Sequence, residues 1–401
     1  MIQVIWLLEK EDTVLQDEQA TDKRGENAKA GVDYAKMLGF KQAMIEVAKR
    51  TRGLPEKRGV FISTGVNLHA VGYQYRGNQG HRWVATKEGL GNKAWIAMLL
   101  NLLGLEDPTG QHHFGGIGVD AFLMGANDNA AHGGWPVVLT DEVSCGLDDF
   151  FESPAGLALP ASFERACVMV GCAMGQGESP SYKYLMKAEP PVIYAPSLSV
   201  CVIGIAHNYI SGENVRPGDV LIGVPSSGLH ANGVSPTIRR VMQLPDGFLT
   251  KLNGRTVGEE ALIPTRSYIG LVGALLDQEI NIHAILPVTG DGIGKLAADD
   301  RFHYTVDQWL PDDKIPPLFR FMREVVGMPK KDIAETYNNG MGYIFIVPPS
   351  EARKVLDVGA KTRIDGEEGY YDPMIIGRVE EGQAGTHFVP WDLYLQPPGK
   401  E

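Results

Sequence analysis

The segment 88–93 reads EGLGNK, and it decides how this chain is expected to fold and what it is expected to bind. It follows a strand-like apolar run and precedes an apolar segment of helical character. Glycines at Gly89 and Gly91 let backbone N–H groups approach an anion closely, and a helix N-terminus carries partial positive charge. Lys93 adds a cation, and Glu88 can hold a divalent metal ion against a phosphate. The segment predicts a nucleotide-binding turn; a tight turn with ordinary surface charges is the alternative.

Composition bounds the classes of protein to which the chain can belong. It has 401 residues, of which 44% are hydrophobic and 21% are charged, as expected of a globular protein with two domains. The formal net charge is −12, which argues against a nucleic acid or an anionic membrane as a partner. A phosphate ligand would therefore have to be bound locally, through lysines, backbone N–H groups or a metal ion.

The cysteines and the N-terminus bear on the cellular compartment. Four cysteines without C-x-x-C spacing predict buried, reduced thiols rather than a zinc site or a disulfide framework: Cys145, Cys167, Cys172 and Cys201. The short apolar run at the N-terminus has no basic lead, and acidic residues follow it, so no signal peptide is expected. No apolar stretch reaches the length of a membrane span. We expect a cytoplasmic protein.

Periodicity along the chain predicts a mixed α/β fold in two halves. A polar arm is expected over 1–27, an N-terminal α/β domain over 28–206 and a C-terminal α/β domain over 207–401. The expected helices cover 35–47, 95–103, a segment from Ala121, 236–244 and 268–276, and the expected strands cover 83–86, 136–139, 199–205, 220–222, 343–347 and 374–379.

A glycine-rich turn before the helix at Ala121 ends in an acid, Asp120, and Asn127 and Asp128 follow about two helical turns later. Residues i and i+7 share a helix face, so these side chains are expected to lie together. An oxygen-rich face suits a hard cation such as Mg²⁺. A capped helix with a solvated polar face is the alternative.

Two further segments carry polar groups between small residues. Residues 226–233 read SSGLHANG, where hydroxyls, His230 and free backbone N–H groups form a plausible anion pocket. A hydrolase is not indicated, because the G-x-S-x-G spacing is absent. In residues 175–179 small residues flank an acid, Glu178, which could belong to a site; an ordinary loop is an equally good interpretation. Residues 289–295 read TGDGIGK and lack the spacing of a nucleotide phosphate loop.

The order of these short motifs along the chain is more specific than any one of them. From about residue 28 to the C-terminus the chain resembles the phosphoribosylformylglycinamidine cyclo-ligase (aminoimidazole ribonucleotide synthetase) family of purine biosynthesis. The motifs that carry the resemblance are AGVD at 30–33, EGLGNK at 88–93, GVD at 118–120, ND at 127–128, the segment 171–178, PGDVLI at 217–222, SSGLHANG at 226–233, PTR at 264–266, TGDG at 289–292 and NGMG at 339–342.

The resemblance implies a fold and a reaction. It implies a homodimer in which the sheets of the N-terminal domains pair, with the C-terminal domain covering a long cleft. It also implies that formylglycinamidine ribonucleotide and ATP give aminoimidazole ribonucleotide, ADP and phosphate, with Mg²⁺ as cofactor. Phosphorylation turns the formyl amide oxygen into a good leaving group, and such transfer depends on cations around the phosphoryl group.

The resemblance also assigns roles by position. Metal ligands would be Glu88, Asp120 and Asp128. The nucleotide would contact Glu88, Gly89, Gly91, Lys93, Asn127 and Asp128. Catalysis would fall to Asp120, Glu178 and Lys93, with Lys93 neutralising phosphate charge and Glu178 acting as metal ligand or proton acceptor. The ribonucleotide substrate would be bound by Ser227, His230, Asn232, Thr289 and Gly290.

Departures from the family pattern keep two alternatives open. Glu88 replaces an Asp, Pro287 replaces a common His, and Asp291 stands in a loop that usually has only glycines after its threonine. A sister ATP-dependent enzyme, such as selenophosphate synthetase, thiamine-monophosphate kinase or the hydrogenase-maturation dehydratase, is the first alternative. A catalytically silent nucleotide-binding paralogue is the second, although the joint presence of the charged residues above argues against it.

Overall fold

The computed structural model describes residues 34–64, 71–105 and 112–397, so the predicted arm over 1–27 lies outside the described residues. Its helices are α1 (Tyr34–Thr51), α2 (Lys93–Leu102), α3 (Ile117–Ala131), α4 (Asp149–Glu152), α5 (Pro154–Val170), α6 (Val234–Val241), α7 (Val257–Ala261), α8 (Ile269–Asp277), α9 (Pro317–Glu324), α10 (Lys330–Thr336) and α11 (Pro349–Gly359). Its strands are β1 (Val60–Thr64), β2 (Val71–Tyr75), β3 (Arg82–Gly89), β4 (Trp135–Ser144), β5 (Ala173–Glu178), β6 (Ser197–Ala206), β7 (Val220–Pro225), β8 (Lys251–Leu252), β9 (Arg255–Thr256), β10 (Ala284–Pro287), β11 (His303–Val306), β12 (Met341–Val347), β13 (Met374–Glu380), β14 (Gly385–Phe388) and β15 (Leu393–Leu395).

The first sheet has four strands in the order β3-β6-β4-β5. Strand β6 runs antiparallel to both of its neighbours, and β5 runs parallel to β4. Helix α3 packs on this sheet at close range, because a Cβ on Gly125 would lie 3.0 Å from Val202 Cγ2 and 3.2 Å from Thr86 Oγ1. Because Gly125 has no side chain, the helix lies close to the sheet, and its polar residues lie near the end of β3.

The second sheet has seven strands in the order β10-β12-β7-β13-β11-β14-β15. All seven residues of β12 are buried, as expected for an apolar strand covered on both faces. The two sheets confirm a mixed α/β fold. Strand β6 ends at Ala206 and β7 begins at Val220; the domain division at 206 remains a prediction.

Helix α3 also fastens the first half of the chain to the second. The side chain of Asn127 donates to Arg266 O at 2.9 Å and accepts from Tyr268 N at 3.0 Å. The hydroxyl of Tyr343, on β12, donates to Asn127 O at 2.7 Å. Because both sides of the Asn127 amide bind backbone groups, the helix is fixed in position and in rotation relative to the second half.

The structure differs from the sequence prediction at three elements. A loop was one interpretation of residues 175–179, but residues up to Glu178 belong to β5, where pairing with β4 overrides the low strand propensity of a glycine-rich segment. The long helix α5 was not predicted; it contains an internal proline, Pro160. The strand over 374–379 is present, but β13 lies between β7 and β11, and two further strands follow it.

The α-helices of the described residues are between 4 and 18 residues long. None of them has both the length and the apolar character that a bilayer crossing needs.

Candidate functional site

Lys93 lies at the first turn of α2, where EGLGNK leads out of β3 as predicted. Its Nζ is 2.9 Å from both carboxylate oxygens of Asp120, on α3. It also donates to His230 O at 2.9 Å and to Ile263 O at 2.8 Å. All three N–H groups of the ammonium therefore have acceptors, two of them in the second half of the chain.

Asp120 is hydrogen-bonded through Oδ1, whereas Oδ2 lies 2.9 Å from Lys93 Nζ but has no hydrogen-bond partner among the described residues. It accepts hydrogen bonds from Thr265 N at 2.8 Å and from Thr265 Oγ1 at 2.6 Å, and both Asp120 and Lys93 have 0% exposed side chains. Burial lowers the pKa of Lys93 and raises the pKa of Asp120, while the attraction between the two groups opposes both shifts. We call Lys93, Asp120 and Thr265, with the carbonyls of His230 and Ile263, the buried junction.

The SSGLHANG segment closes the other side of this junction. His230 adopts a positive φ of 60°, and its Nε2 faces the backbone N–H of Ser227 at 3.3 Å. Burial, with the charges of Lys93 and Arg266, lowers the pKa of His230 to about 3, so the imidazole is neutral. Ser227 Oγ donates to Pro264 O at 2.7 Å. Much of the predicted anion pocket is therefore occupied by contacts within the protein.

A small cleft with a cavity volume of about 20 Å³ lies beside the junction, and both halves of the chain contribute to its lining. Its lining includes Asp128 from α3 and, from the second half, His230, Asn232, Thr265 and Thr289. The lining does not include Ser227 or Gly290, although a Cβ on Gly290 would lie 3.9 Å from Asn232 Oδ1. The structure thus brings together five of the predicted site residues at one position: Asn127, Asp128, His230, Asn232 and Thr289.

Asp128 is the charged group in the cleft with the clearest ligand requirement. Its Oδ1 is buried and has no hydrogen-bond partner among the described residues. Burial raises the pKa of Asp128, and the charges of Lys295 and His132 oppose that shift. The pKa of Glu88 is also raised, mainly by burial and to a smaller extent by the negative charge of Asp128. The positive charge of Lys295 opposes this shift. Two carboxylates and one lysine therefore share a single electrostatic environment at the end of β3.

The backbone next to Glu88 leaves room for a ligand. A Cβ on Gly89 or on Gly91 would meet no atom within 4 Å. Gly91 has a φ of 67°, a conformation that L side chains rarely adopt. The glycines thus give the turn its shape and keep the space in front of the α2 N-terminus open.

Glu178 lies apart from the cleft. It is exposed at the end of β5, where it accepts from Ser179 N at 2.8 Å, and it lines a separate groove between α1 and β5. The same groove contains Asp141, a buried carboxyl whose Oδ1 has no partner among the described residues. Burial, with the charges of Glu178 and Glu142, raises the pKa of Asp141 to about 7.

The metal site of three carboxylates remains a prediction. Within the described ranges, no group of three or more His, Cys, Asp or Glu side chains is placed to hold a metal ion. Asp120 forms an ion pair with Lys93, and its Oδ1 accepts hydrogen bonds from Lys93 and Thr265, whereas its Oδ2 has no hydrogen-bond partner among the described residues. Glu88 and Asp128 remain as a neighbouring pair. The sequence did not reveal that the lysine and the aspartate of the motifs would neutralise each other.

Solved structures with the same fold support the architecture. The hydrogenase maturation protein HypE in complex with ATP is 17% identical, with a TM-score of 0.52, and the match covers 82% of this chain and 88% of that chain. Thiamine-monophosphate kinase from Stenotrophomonas maltophilia is 20% identical, with a TM-score of 0.53, covering 85% and 95% of the two chains. At these identities the likeness shows the fold alone.

Sequence relatives are more specific. Residues 216–390 match the C-terminal domain of AIR synthase related proteins. The phosphoribosylformylglycinamidine cyclo-ligase of Thermococcus gammatolerans is 30% identical over 359 residues, which cover 88% of this chain and 94% of that protein. The cyclo-ligase of Shouchella clausii is 31% identical over 318 residues, covering 74% and 80%. The chain therefore belongs to the phosphoribosylformylglycinamidine cyclo-ligase family of ATP-dependent ligases.

Proposed function

We propose that the protein converts formylglycinamidine ribonucleotide and ATP to aminoimidazole ribonucleotide, ADP and phosphate. The observation that carries this proposal is the near full-length similarity to a cyclo-ligase, at 30% identity over 94% of that relative. The cleft supports it, because the carboxylate of Asp128 from the first half and neutral hydrogen-bonding groups from the second half line it together. A reaction that transfers a phosphoryl group from a triphosphate to a ribonucleotide needs both kinds of group close together.

ATP is the proposed phosphoryl donor, with Mg²⁺ as the cation that accompanies it. The unpartnered Oδ1 of Asp128 and the neighbouring carboxylate of Glu88 fit a hard cation, which prefers oxygen ligands and usually keeps several waters. We assign these two residues, and not Asp120, to the metal. When bound, Mg²⁺ would neutralise charge on the phosphates. The open turn at Gly89 and Gly91 would accommodate phosphate oxygens.

The proposed chemistry has two stages. The terminal phosphoryl group of ATP moves to the formyl amide oxygen, so a P–O bond forms as the bond to ADP breaks. An amidine nitrogen then attacks the same carbon, phosphate leaves with the oxygen, and the nitrogen loses a proton. Asn232 and Thr289 would orient the ribonucleotide. His230 is neutral, so it would shape the cleft rather than donate a proton.

The buried junction has a positioning role in this proposal. Lys93 and Asp120 contact each other and the backbone of the second half, so they would fix the two walls of the cleft without touching a phosphate. Glu178 remains a predicted proton acceptor or metal ligand, although it lies on a separate groove. Ser227 and Gly290 would act by supporting the loops that carry His230 and Asn232.

A homodimer in the cytoplasm is the proposed setting. Tyr73 and Trp83 support a subunit contact, because their rings lie 5.4 Å apart and both side chains are about two-fifths exposed, at 42% and 41%. Partly exposed aromatic pairs are typical of protein interfaces. Light scattering of the purified protein should give twice the chain mass of 43.7 kDa. A monomer at micromolar concentration would contradict this part of the proposal.

The reaction is tested by measuring ADP release with Mg²⁺ and ATP, in the presence and absence of formylglycinamidine ribonucleotide. Aminoimidazole product is followed in parallel. We expect ADP and product in equal amounts, and both only when the ribonucleotide is present. ATP binding without turnover would instead favour a different substrate within the superfamily or a silent paralogue.

A further inference from the structure

Lys295 is the cation of the cleft region that no predicted role uses. It belongs to the TGDGIGK segment, in a short 3₁₀-helix over Gly292–Ala298 that follows Asp291, whose φ is 68°. Its Nζ donates to Thr289 Oγ1 at 2.7 Å, and Thr289 lines the cleft. Thr289 is its only hydrogen-bond partner among residues 34–64, 71–105 and 112–397.

The surroundings of Lys295 differ from those of Lys93. Lys93 has three fixed acceptors and no exposure, whereas Lys295 is half-buried and holds one neutral hydroxyl. Its Nζ lies 2.7 Å from the hydroxyl of Thr289, which lines the cleft together with Asp128, and it forms no ion pair with an acid among the described residues. An ammonium has three donors, so Lys295 keeps donor capacity for a ligand.

We propose that Lys295 binds a phosphate group of a nucleotide substrate in the cleft. The proposal rests on the proposed function and adds to it the residue that supplies the protein's own positive charge. A phosphate bound near a cation held by Glu88 and Asp128 would also contact Lys295, which comes from the segment 289–295 of the second half. The phosphate belongs either to the triphosphate of ATP or to the phosphomonoester of the ribonucleotide, since an ammonium binds both as a point charge.

The geometry also explains why this segment departs from a nucleotide phosphate loop. Thr289 holds the ammonium from six positions earlier in the chain, so the lysine is aimed by a side chain rather than by a helix N-terminus. The positive φ of Asp291 turns the backbone between them. Thr289 and Lys295 therefore act together: Thr289 is the positioning residue, and Lys295 contacts the ligand.

The test is calorimetric titration of Lys295→Met with a non-hydrolysable ATP analogue plus Mg²⁺ and, separately, with formylglycinamidine ribonucleotide. The matched control is Lys361→Met, which removes the same charge at an exposed position on α11's C-terminal side. We expect the dissociation constant of one of the two ligands to rise by about tenfold or more in Lys295→Met. The control should stay within about twofold of the wild type.

Which ligand weakens identifies the source of the phosphate. Unchanged dissociation constants for both ligands, within about twofold, would overturn the proposal. Equal weakening in Lys361→Met would do the same, because it would point to general charge effects. If Lys295→Met does not fold, as judged by its thermal unfolding, Lys295→Gln replaces it, and Lys295→Arg should restore part of the affinity.

Failure of the proposed reaction gives a different result. A wild-type protein that binds the ATP analogue but makes no aminoimidazole product would remove the reaction, while the comparison of Lys295→Met with wild type would still stand. A wild-type protein that makes product, with unchanged binding in Lys295→Met, would remove only the role of Lys295. A wild-type protein that binds neither ligand would overturn the proposal for Lys295 as well.

Discussion

The buried junction and the cleft both combine lysine with carboxylate, and the segment 226–233 contributes to both. At the junction Lys93 and Asp120 have no exposure, and every donor of the lysine is used. At the cleft Asp128 has a buried oxygen without a partner among the described residues, and Lys295 binds a neutral hydroxyl. The first arrangement pairs its two opposite charges directly, whereas the lysine of the second is hydrogen-bonded to a neutral hydroxyl.

The strongest way to break this contrast is Lys93→Met. Removing one partner of a buried ion pair leaves the other charge uncompensated, so we expect a loss of about 3–5 kcal/mol in the free energy of unfolding. Denaturant unfolding measures the loss. The double variant Lys93→Met with Asp120→Asn should recover part of it, because the buried charge is then gone. A Lys93→Met protein of wild-type stability and reduced ATP affinity would reverse the assignment, placing Lys93 on the phosphate as first predicted.

Asp128→Asn should have the opposite profile. It removes an unsatisfied carboxylate, so stability should not fall, while turnover should fall by about 100-fold through loss of cation binding. The measurement is ADP release at saturating Mg²⁺ together with thermal unfolding. Asp313→Asn, at an exposed position on the second half, is the control of equal charge change. Wild-type turnover in Asp128→Asn would remove Asp128 from the site.

Asp141, in the separate groove, extends the comparison to a buried carboxyl that has no lysine partner, and its effect is measured through pH. Its folded-state pKa is raised to about 7 by burial, whereas an unfolded aspartate titrates near about 3.9. The folded state therefore holds the proton more tightly, and stability should fall as pH rises from about 4 to about 7, by up to about 1.4 kcal/mol per pH unit. Urea unfolding across this range measures the slope. Asp141→Asn should flatten it; an identical slope in both proteins would show that other groups dominate.

The smallest effect is expected one residue before Lys93. The side chain of Asn92 is exposed and donates to Ser235 Oγ at 2.8 Å, so it too links the two halves. Solvent competes for both groups, and Asn92→Ala should change the free energy of unfolding by less than about 1 kcal/mol. Denaturant unfolding beside Lys93→Met gives the comparison. A loss as large as that of Lys93→Met would mean that the whole loop, rather than the buried pair, holds the halves together.

The sequence predicted the elements that carry the site better than it predicted the contacts between them. The strand before EGLGNK, the helix after it and the helix that carries Asp120 and Asn127 all have strong periodic or turn signals, and all are present. Strand β5 was missed because its glycines have low strand propensity and its position depends on pairing with β4. Pairing of that kind is a property of the folded chain and leaves little trace in a short segment.

The roles of charged residues were harder to predict for a related physical reason. Lys93 and Asp120 are 27 positions apart, and the carbonyls that complete their shell come from His230 and Ile263. Nothing local distinguishes a lysine that faces a ligand from one that is enclosed. Lys295 had a visible signal, the TGDGIGK segment, but comparison with a known phosphate loop led away from it. Its contact with Thr289 appears only in the folded structure.

Helix α3 links ligand binding at Asp128 to the contact between the two halves of the chain. Asp120 and Asp128 are eight residues apart on this helix, so their backbone positions are separated by about 12 Å along a single rigid axis. Asn127 prevents the helix from rotating. A ligand that binds Asp128 only when α3 is docked must, by reciprocity, stabilise docking by the same free energy. The amide hydrogen of Ile263, whose carbonyl accepts from Lys93 and which does not line the cleft, should therefore exchange more slowly in the presence of nucleotide.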